Sequence, residues 1–525
     1  MFLIMSMFLS FFLLIIICFS ILCLDKSYIL NILDITLNGM YWNSIMYIDS
    51  VTISIFLMLI VCFGYAYFYT GHYFSNGKDG VELNKIICLF VAVMASLILT
   101  GDFLTTLIFW EYLGVVSFFL ILFYSNYLSL RASIITLVSS RFGDVCLFFL
   151  IAASLYINYN LVAIWLLFFF VIFTKSAGFP FISWLLEAMR APTPVSSLVH
   201  SSTLVAAGVW FSIRYDIFLF FHDCFIFFIL LLLTIFITGI CCFFFLDLKK
   251  IVALSTCNNI SWCLIYLIFG DVTLSLFQLV SHGVSKCLLF MLVGDVMSGS
   301  GGSQSSNCVY SSQLYGNLGL FNLFSIILGL SGAPFIGVFF TKHFLLSMFS
   351  NTLNLFLFIF LLFCVFLSYF YSFRLCRTLL NINVSLSTGV MYSFSSGLMV
   401  YFWLFINYFI ASLIDEVSMV NSFISFWLII FQLLSCITAY FFYSSIIISN
   451  WCSSLFGCDN IVEFCYGIYN NLIYLTSIFF YRWDHQSLLL FNGLGTKFIS
   501  VFNYNMLNIT MFSLLFFFVS WFILY

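Results

Sequence analysis

Long apolar runs separated by short polar connections dominate the chain. They fall at about 2–24, 51–69, 86–100, 103–124, 132–157, 161–185, 195–213, 217–246, 251–270, 272–297, 318–348, 354–376, 388–414, 422–449 and 506–525. A helix needs roughly 20 apolar residues to cross a bilayer, and barrel strands would instead alternate with period two. The pattern predicts an all-α polytopic membrane protein with about fifteen transmembrane helices. The Gly/Ser/Asn-rich stretch 298–317 is the clearest loop inside the bundle; its glycines lack the G-K-[ST] ending of a phosphate-binding loop, and it reads as a linker. Region 450–505 is too polar to cross cleanly, since it mixes Asp459, Glu463, Arg482, Asp484, His485 and Lys497 with aromatics. It fits an amphipathic helix lying along the membrane, or a loop domain outside it, before a final span at 506–525.

Two runs are interrupted. The chain has four prolines; Pro180, Pro192 and Pro194 cluster with Gly178 after Lys175, and Pro334 falls with Gly329 and Gly332 before Lys342. Proline and glycine open a helix and expose backbone carbonyls. Paired broken segments, each with its own lysine, point to a transporter built from two inverted repeats with sites near the bilayer midplane.

Composition agrees. The chain is 64% hydrophobic and 7% charged, far below the roughly one quarter charged residues of a soluble domain, so its solvent is lipid. A net charge of −3 leaves no basic surface for nucleic acid. The 18 cysteines form no C-x-x-C pair and no Cys/His ligand grouping, so neither a metal site nor a disulfide framework is expected. The 73 phenylalanines fit the codon bias of a T-rich organellar gene, and the first residues lack the Arg-rich pattern of an imported transit peptide.

Most charges sit at run ends. Eight ionisable residues lie well inside: Glu111, Arg141, Asp144, Lys175, His200, His282, Lys286 and Lys342. Each costs a few kcal/mol at membrane depth unless it pairs, meets water or works. Arg141 and Asp144, at i,i+3, share a helix face and can neutralise each other as supporting charges. Arginine does not usefully shed its proton, whereas a buried lysine can. His200 stands among Ser196, Ser197, Ser201, Ser202 and Thr203, a polar patch fit to hold water. His282 and Lys286, at i,i+4, place two protonatable groups on one face.

These motifs resemble the antiporter-like, proton-translocating subunits of respiratory complex I. The resemblance is carried by Lys175-Ser176-Ala177, Trp184, Ala188-Met189, Pro192–Ser196, His200–Thr203 and Ala207-Gly208. Trp110-Glu111, Arg141–Asp144, Asp247–Lys250 with Ala253–Thr256, His282–Lys286 and Lys342 extend it. It covers about 49–342 by motif and the rest by layout. It departs at Arg190-Ala191, where the family usually has Glu-Gly, at Gly178 in place of Gln, and at His343 in place of an acid. One span precedes Asp49 where the family usually has two.

The resemblance implies a proton pathway through Glu111, Lys175, His200, His282, Lys286 and Lys342, with Glu111 and Lys175 as the interacting pair of the first half-channel and Lys342 the exit of the second. It implies segments at 1–85 (N-terminal spans), 86–215 and 216–350 (half-channel repeats), 351–449 (C-terminal spans), 450–505 (lateral helix) and 506–525 (anchor). It further implies a subunit of the mitochondrial inner membrane beside neighbouring antiporter-like subunits. That subunit holds no cofactor; flavin, iron–sulfur clusters and quinone belong to other subunits. A stand-alone cation/proton antiporter and a structural spacer with a decayed channel are the alternative readings.

Overall fold

The computed structural model describes residues 27–37, 40–74, 77–155, 161–220, 224–306, 308–312, 316–333, 338–349, 354–380, 383–385, 422–442, 455, 458–491, 510–517 and 519–520. The expected spans 2–24 and 388–414, most of 506–525, and Pro334 lie outside the described residues. The chain divides into two compact units, 1–458 and 459–525.

The first unit opens with an antiparallel hairpin, β1 (Tyr28–Leu37) and β2 (Met40–Ile48), pairing Tyr28 with Ile48 and Leu37 with Met40. The all-α expectation missed it. The segments are rich in Ile, Leu, Tyr and Trp but too short to span, and Asn38-Gly39 between them is a strong hairpin signal that a search for long apolar runs passes over. Later, β3 (Tyr310–Ser312) pairs in parallel with β4 (Asn383–Ser385). The other elements among the described residues are helical.

After the hairpin, α1 (Ser50–Tyr73) starts from a capping box: Asp49 accepts from the Thr52 amide at 2.9 Å, and the Thr52 hydroxyl meets the Asp49 amide. Then come α2 (Lys78–Leu99), α3 (Phe103–Leu122), capped by Asp102, and α4 (Tyr127–Leu155). The run 161–185 is not one span. It is α5 (Leu161–Lys175), a break, and the short α6 (Ser183–Ala188). Pro192 and Pro194 then start α7 (Thr193–Leu198), which continues through a π-helical turn, Val199–Thr203, into α8 (Leu204–Arg214). A single turn α9 (Ile217–Phe220) leads to α10 (Phe225–Phe244), α11 (Leu248–Ile268) and α12 (Val272–Gly299). The run 318–348 also divides, into α13 (Gly316–Ser331) and α14 (Val338–Phe349), followed by α15 (Leu355–Leu380) and α16 (Ser422–Phe441).

Ten helices among the described residues are long and apolar enough to cross a membrane. In three of them, Thr193–Arg214, Leu248–Ile268 and Val272–Gly299, the apolar window is 100%, 94% and 89% buried, against 28–61% in the other seven. These three, α7–α8, α11 and α12, are therefore the centre, and they carry His200, Ser255, His282 and Lys286. Close approach depends on glycine: a Cβ on Gly208 would stand 3.1 Å from the Ile172 carbonyl oxygen and the Ser176 amide, where α8 crosses the end of α5.

Described by itself, the second unit is chiefly α17 (Cys458–Phe491), 34 residues and thus about 51 Å long. It is not among the helices apolar enough to span, and nearly all its described residues are exposed.

Candidate functional site

The first cluster forms where α3, α4 and α5 meet. Gly143 on α4 packs against Thr174, so closely that a Cβ there would stand 2.2 Å from the Thr174 hydroxyl. That approach sets Asp144 beside Lys175, the last residue of α5. Lys175 is fully buried. Its Nζ lies 3.8 Å from Asp144 Oδ1, donates to the Trp110 carbonyl at 3.3 Å and sits 5.0 Å from the Trp110 ring centre. Arg141 completes the chain of charges, 3.5 Å from Asp144 and 3.4 Å from Glu111. Glu111 and Lys175 are thus joined through Arg141 and Asp144. The expected direct pair gives way to a four-charge cluster, because Glu111 faces outward with its side chain 48% exposed while Asp144 is 3% exposed.

The break beyond Lys175 has a local cause. Ala177 adopts a positive φ of 54°, and the Phe173 ring covers Gly178 so tightly that a Cβ would stand 2.2 Å from it. The helix stops there, and the Ile172 carbonyl takes the Ser176 amide and hydroxyl.

Toward the centre, His200 lies in the π-helical turn, fully buried, with both ring nitrogens lacking a hydrogen-bond partner among the described residues. The same holds for His282. Two imidazoles buried this way require polar partners, and water is the partner that the surrounding hydroxyls can hold. Lys286 donates to the Ser255 hydroxyl and lies 3.5 Å from the Val252 carbonyl oxygen. Gln278, His282 and Lys286 line one face of α12, and Gln278 accepts from Thr341 at 3.0 Å.

Lys342, on α14, reaches back across the second break. Its Nζ donates to the Ser331 carbonyl at 2.6 Å and to the Ser368 hydroxyl at 2.7 Å, and lies 4.1 Å from the Tyr369 ring centre. The other freed carbonyl, of Gly332, accepts from Gln432. Between the central and terminal lysines lies a cavity of about 10 Å³, room for one water. Lys286, Ser255, Asn259, Ser331 and Tyr371 line it.

The structure thus sets Glu111, Arg141, Asp144 and Lys175 in one cluster, and Lys286 on one cavity with Ser331, whose carbonyl accepts from Lys342. Sequence reading named Ser255 only within the motif Ala253–Thr256, passed over Asn259 and Gln278, though polar side chains inside apolar runs were a usable signal, and underrated Asp144. It also missed Lys249, 4% exposed, which donates to the Ala191 carbonyl at 3.2 Å. Arg190, at the departure from the family pattern, pairs with Glu187 at 3.1 Å.

A family model described as NADH:quinone oxidoreductase/Mrp antiporter, transmembrane, matches residues 100–370. The chain is similar to NADH-ubiquinone oxidoreductase chain 5 of Caenorhabditis elegans, 33% identical over 348 residues covering 64% of each chain. It is 35% identical to chain 5 of Locusta migratoria over 327 residues, 59% of this chain and 57% of that one. The match therefore spans somewhat under two thirds of these relatives' length. Among solved structures, the Mrp complex from Dietzia superposes with a TM-score of 0.66 at 18% identity, over 89% of this chain and 59% of that one. The archaeal membrane-bound sulfane sulfur reductase gives 0.63 at 17%, over 84% and 93%. Both share the fold.

Proposed function

We propose that this chain, which belongs to the NADH:quinone oxidoreductase/Mrp antiporter transmembrane family, is a membrane-arm subunit of a mitochondrial complex I. It translocates protons across the inner membrane, driven by NADH-to-ubiquinone electron transfer in other subunits. Flavin, iron–sulfur clusters and quinone stay with those subunits, and this one moves protons only. The names of its curated relatives support that assignment. The full architecture is about fifteen spans in two inverted repeats, with α17 running along the membrane beside neighbouring antiporter-like subunits.

One observation carries the reading: the buried row Lys175, His200, His282, Lys286, Lys342, in which Lys286 and an acceptor of Lys342, the Ser331 residue, open on one water-sized cavity. A carboxylate beside a lysine favours its protonated form, and loosening the contact releases the proton. In this reading the Glu111–Arg141–Asp144–Lys175 cluster is the switch. When Asp144 turns toward Arg141, Lys175 gives its proton to the hydrated row, and Lys342 discharges at the far end.

Lys175→Met in the assembled complex should leave assembly intact and lower the protons pumped per NADH. Pumping at wild-type stoichiometry would refute the row. A second reading, a subunit of a stand-alone cation/proton antiporter, draws on the shared fold of the Mrp complex. Purification decides between them: co-migration with flavin and iron–sulfur subunits supports the first, their absence the second.

A further inference from the structure

Lys175, His200, His282, Lys286 and Lys342 are buried, so protons must be brought to them from outside. At the end of the bundle where α1 and α12 finish, His72 Nε2 lies 3.2 Å from Asp295 Oδ1, an ion pair between the last turns of the two helices. The two side chains differ in exposure, 19% for His72 and 2% for Asp295, so one faces outward and the other inward. Gly294 makes the inner contact possible. A Cβ there would stand 2.4 Å from the Tyr69 hydroxyl and 3.4 Å from Thr193 Cβ, so its absence lets both lie against α12 beside Asp295. The Tyr69 hydroxyl lies between Asp295 and Thr193. From Thr193 the buried hydroxyls of Ser196 and Ser197 on α7 and of Ser201 in the π-helical turn follow toward His200, each donating to a helix carbonyl and keeping lone pairs for water; the two His200 nitrogens have no hydrogen-bond partner among the described residues.

We propose that His72 and Asp295 form the proton-uptake mouth of this subunit, feeding His200 through Tyr69, Thr193 and the α7 hydroxyls. The proposal rests on the proton-translocating reading above. His72 Nδ1 takes a proton from water, and Nε2–H passes one to the Asp295 carboxylate, leaving a neutral imidazole and a carboxylic acid. The serine hydroxyls give their own protons to helix carbonyls, so the acid's proton moves through water held on their lone pairs, each water donating one proton as it accepts another. A purely structural pair would need no partly exposed histidine over a buried acid, nor a line of buried hydroxyls behind it. The ionisable groups beside the mouth are Tyr69 and Tyr73 on α1; along the chain toward Thr193, Arg190 pairs with Glu187 and Lys249 Nζ on α11 holds the Ala191 carbonyl.

The test uses the whole complex in sealed vesicles, with Asp295→Asn, Asp295→Glu and His72→Gln, and proton uptake followed from pH 6 to pH 8. Asp295→Asn and His72→Gln should slow uptake roughly tenfold at pH 8 and much less at pH 6, where protons are about a hundredfold more abundant, and Asp295→Glu should restore it. Unchanged uptake at all pH values in Asp295→Asn overturns the mouth. So does a pH-independent loss that Asp295→Glu fails to restore, since that is what a mere strut between α1 and α12 would give. Lys175→Met run in parallel separates the two levels. Full pumping there overturns the row and the mouth with it; loss there beside unchanged Asp295→Asn overturns the mouth alone.

Discussion

If Asp144 is the near counter-charge of Lys175, removing it should loosen α4 and α5 only while the lysine is present. At the observed 3.8 Å and an effective dielectric of about 20, the attraction is about 4 kcal/mol. Asp144→Asn keeps the shape and removes the charge. It leaves Lys175 buried with Arg141 nearby and no adjacent anion, a situation that costs about 3–5 kcal/mol where it has been measured in buried pairs. Replacing Lys175 by Met removes the buried cation, and in that background Asp144 retains only Arg141, whose side chain is 40% exposed, a contact of less than about 1 kcal/mol. The coupling between the two positions is then about 3 kcal/mol, and each 1.36 kcal/mol is tenfold in an opening equilibrium. Hydrogen exchange of the α4 and α5 amides in the assembled complex reads this directly. Asp144→Asn should lower protection about a hundredfold in the wild-type background, and less than about fivefold with Lys175→Met. Equal losses in the two backgrounds would refute the pairing and return Glu111 to the partner role.

Two further predictions probe the ends of the architecture. Asn259→Leu places an apolar side chain in the cavity between Lys286 and Ser331; the complex should assemble and lose proton transfer, and full pumping would show that the water position is not on the path. At the opposite end, Asp49 caps α1 and meets Arg214 at 2.7 Å. Burial works against its charge, but the Arg214 and Thr52 hydrogen bonds and the Arg214 charge hold its carboxyl below the usual 3.8. A depressed folded pKa stabilises fully above the unfolded value and is lost as pH falls through the folded one, so the clamp should hold at pH 5 as at pH 7. Asp49→Asn should cost about 2 kcal/mol at either pH, seen as lost amide protection in the first turns of α1; a cost that appears only at one of the two would contradict this sign.

The spans were legible because lipid imposes a long, continuous signal: α1, α3, α10, α11, α12 and α15 lie where the apolar runs do. The breaks after Lys175 and at Gly332 were legible for the same reason, since Gly178, Pro180 and Gly332 have few other uses inside such runs; Pro334 lies outside the described residues. The hairpin at 28–48 was not, because ten-residue strands carry a weaker, local pattern. Within the site, sequence spacing showed partners on one helix, such as His282 with Lys286. It could not show partners across helices. Asp144 reaches Lys175 because Gly143 lets α4 close on Thr174, and Lys286 reaches Ser255 because α11 and α12 pack side by side. Spacing along one helix carries no record of such crossings.

The two broken helices look alike in sequence, yet their lysines are solvated differently. Lys175 belongs to a cluster of two acids and two bases, Glu111, Arg141, Asp144 and Lys175, whose charges sum to zero. Lys342 makes no ion pair among the described residues; a carbonyl, a hydroxyl and an aromatic face surround it. A cation beside an acid changes its proton affinity when the acid moves, so the first break can be switched by a side-chain rearrangement. A lysine held by neutral acceptors has no such partner to move, and its protonation must follow the water and charge that reach it along the row. The two breaks are therefore alike in sequence and unlike in electrostatics. In the proposed row this difference gives the path a direction: a charge-paired site that can be triggered at one end, and a neutral-lined site that responds at the other.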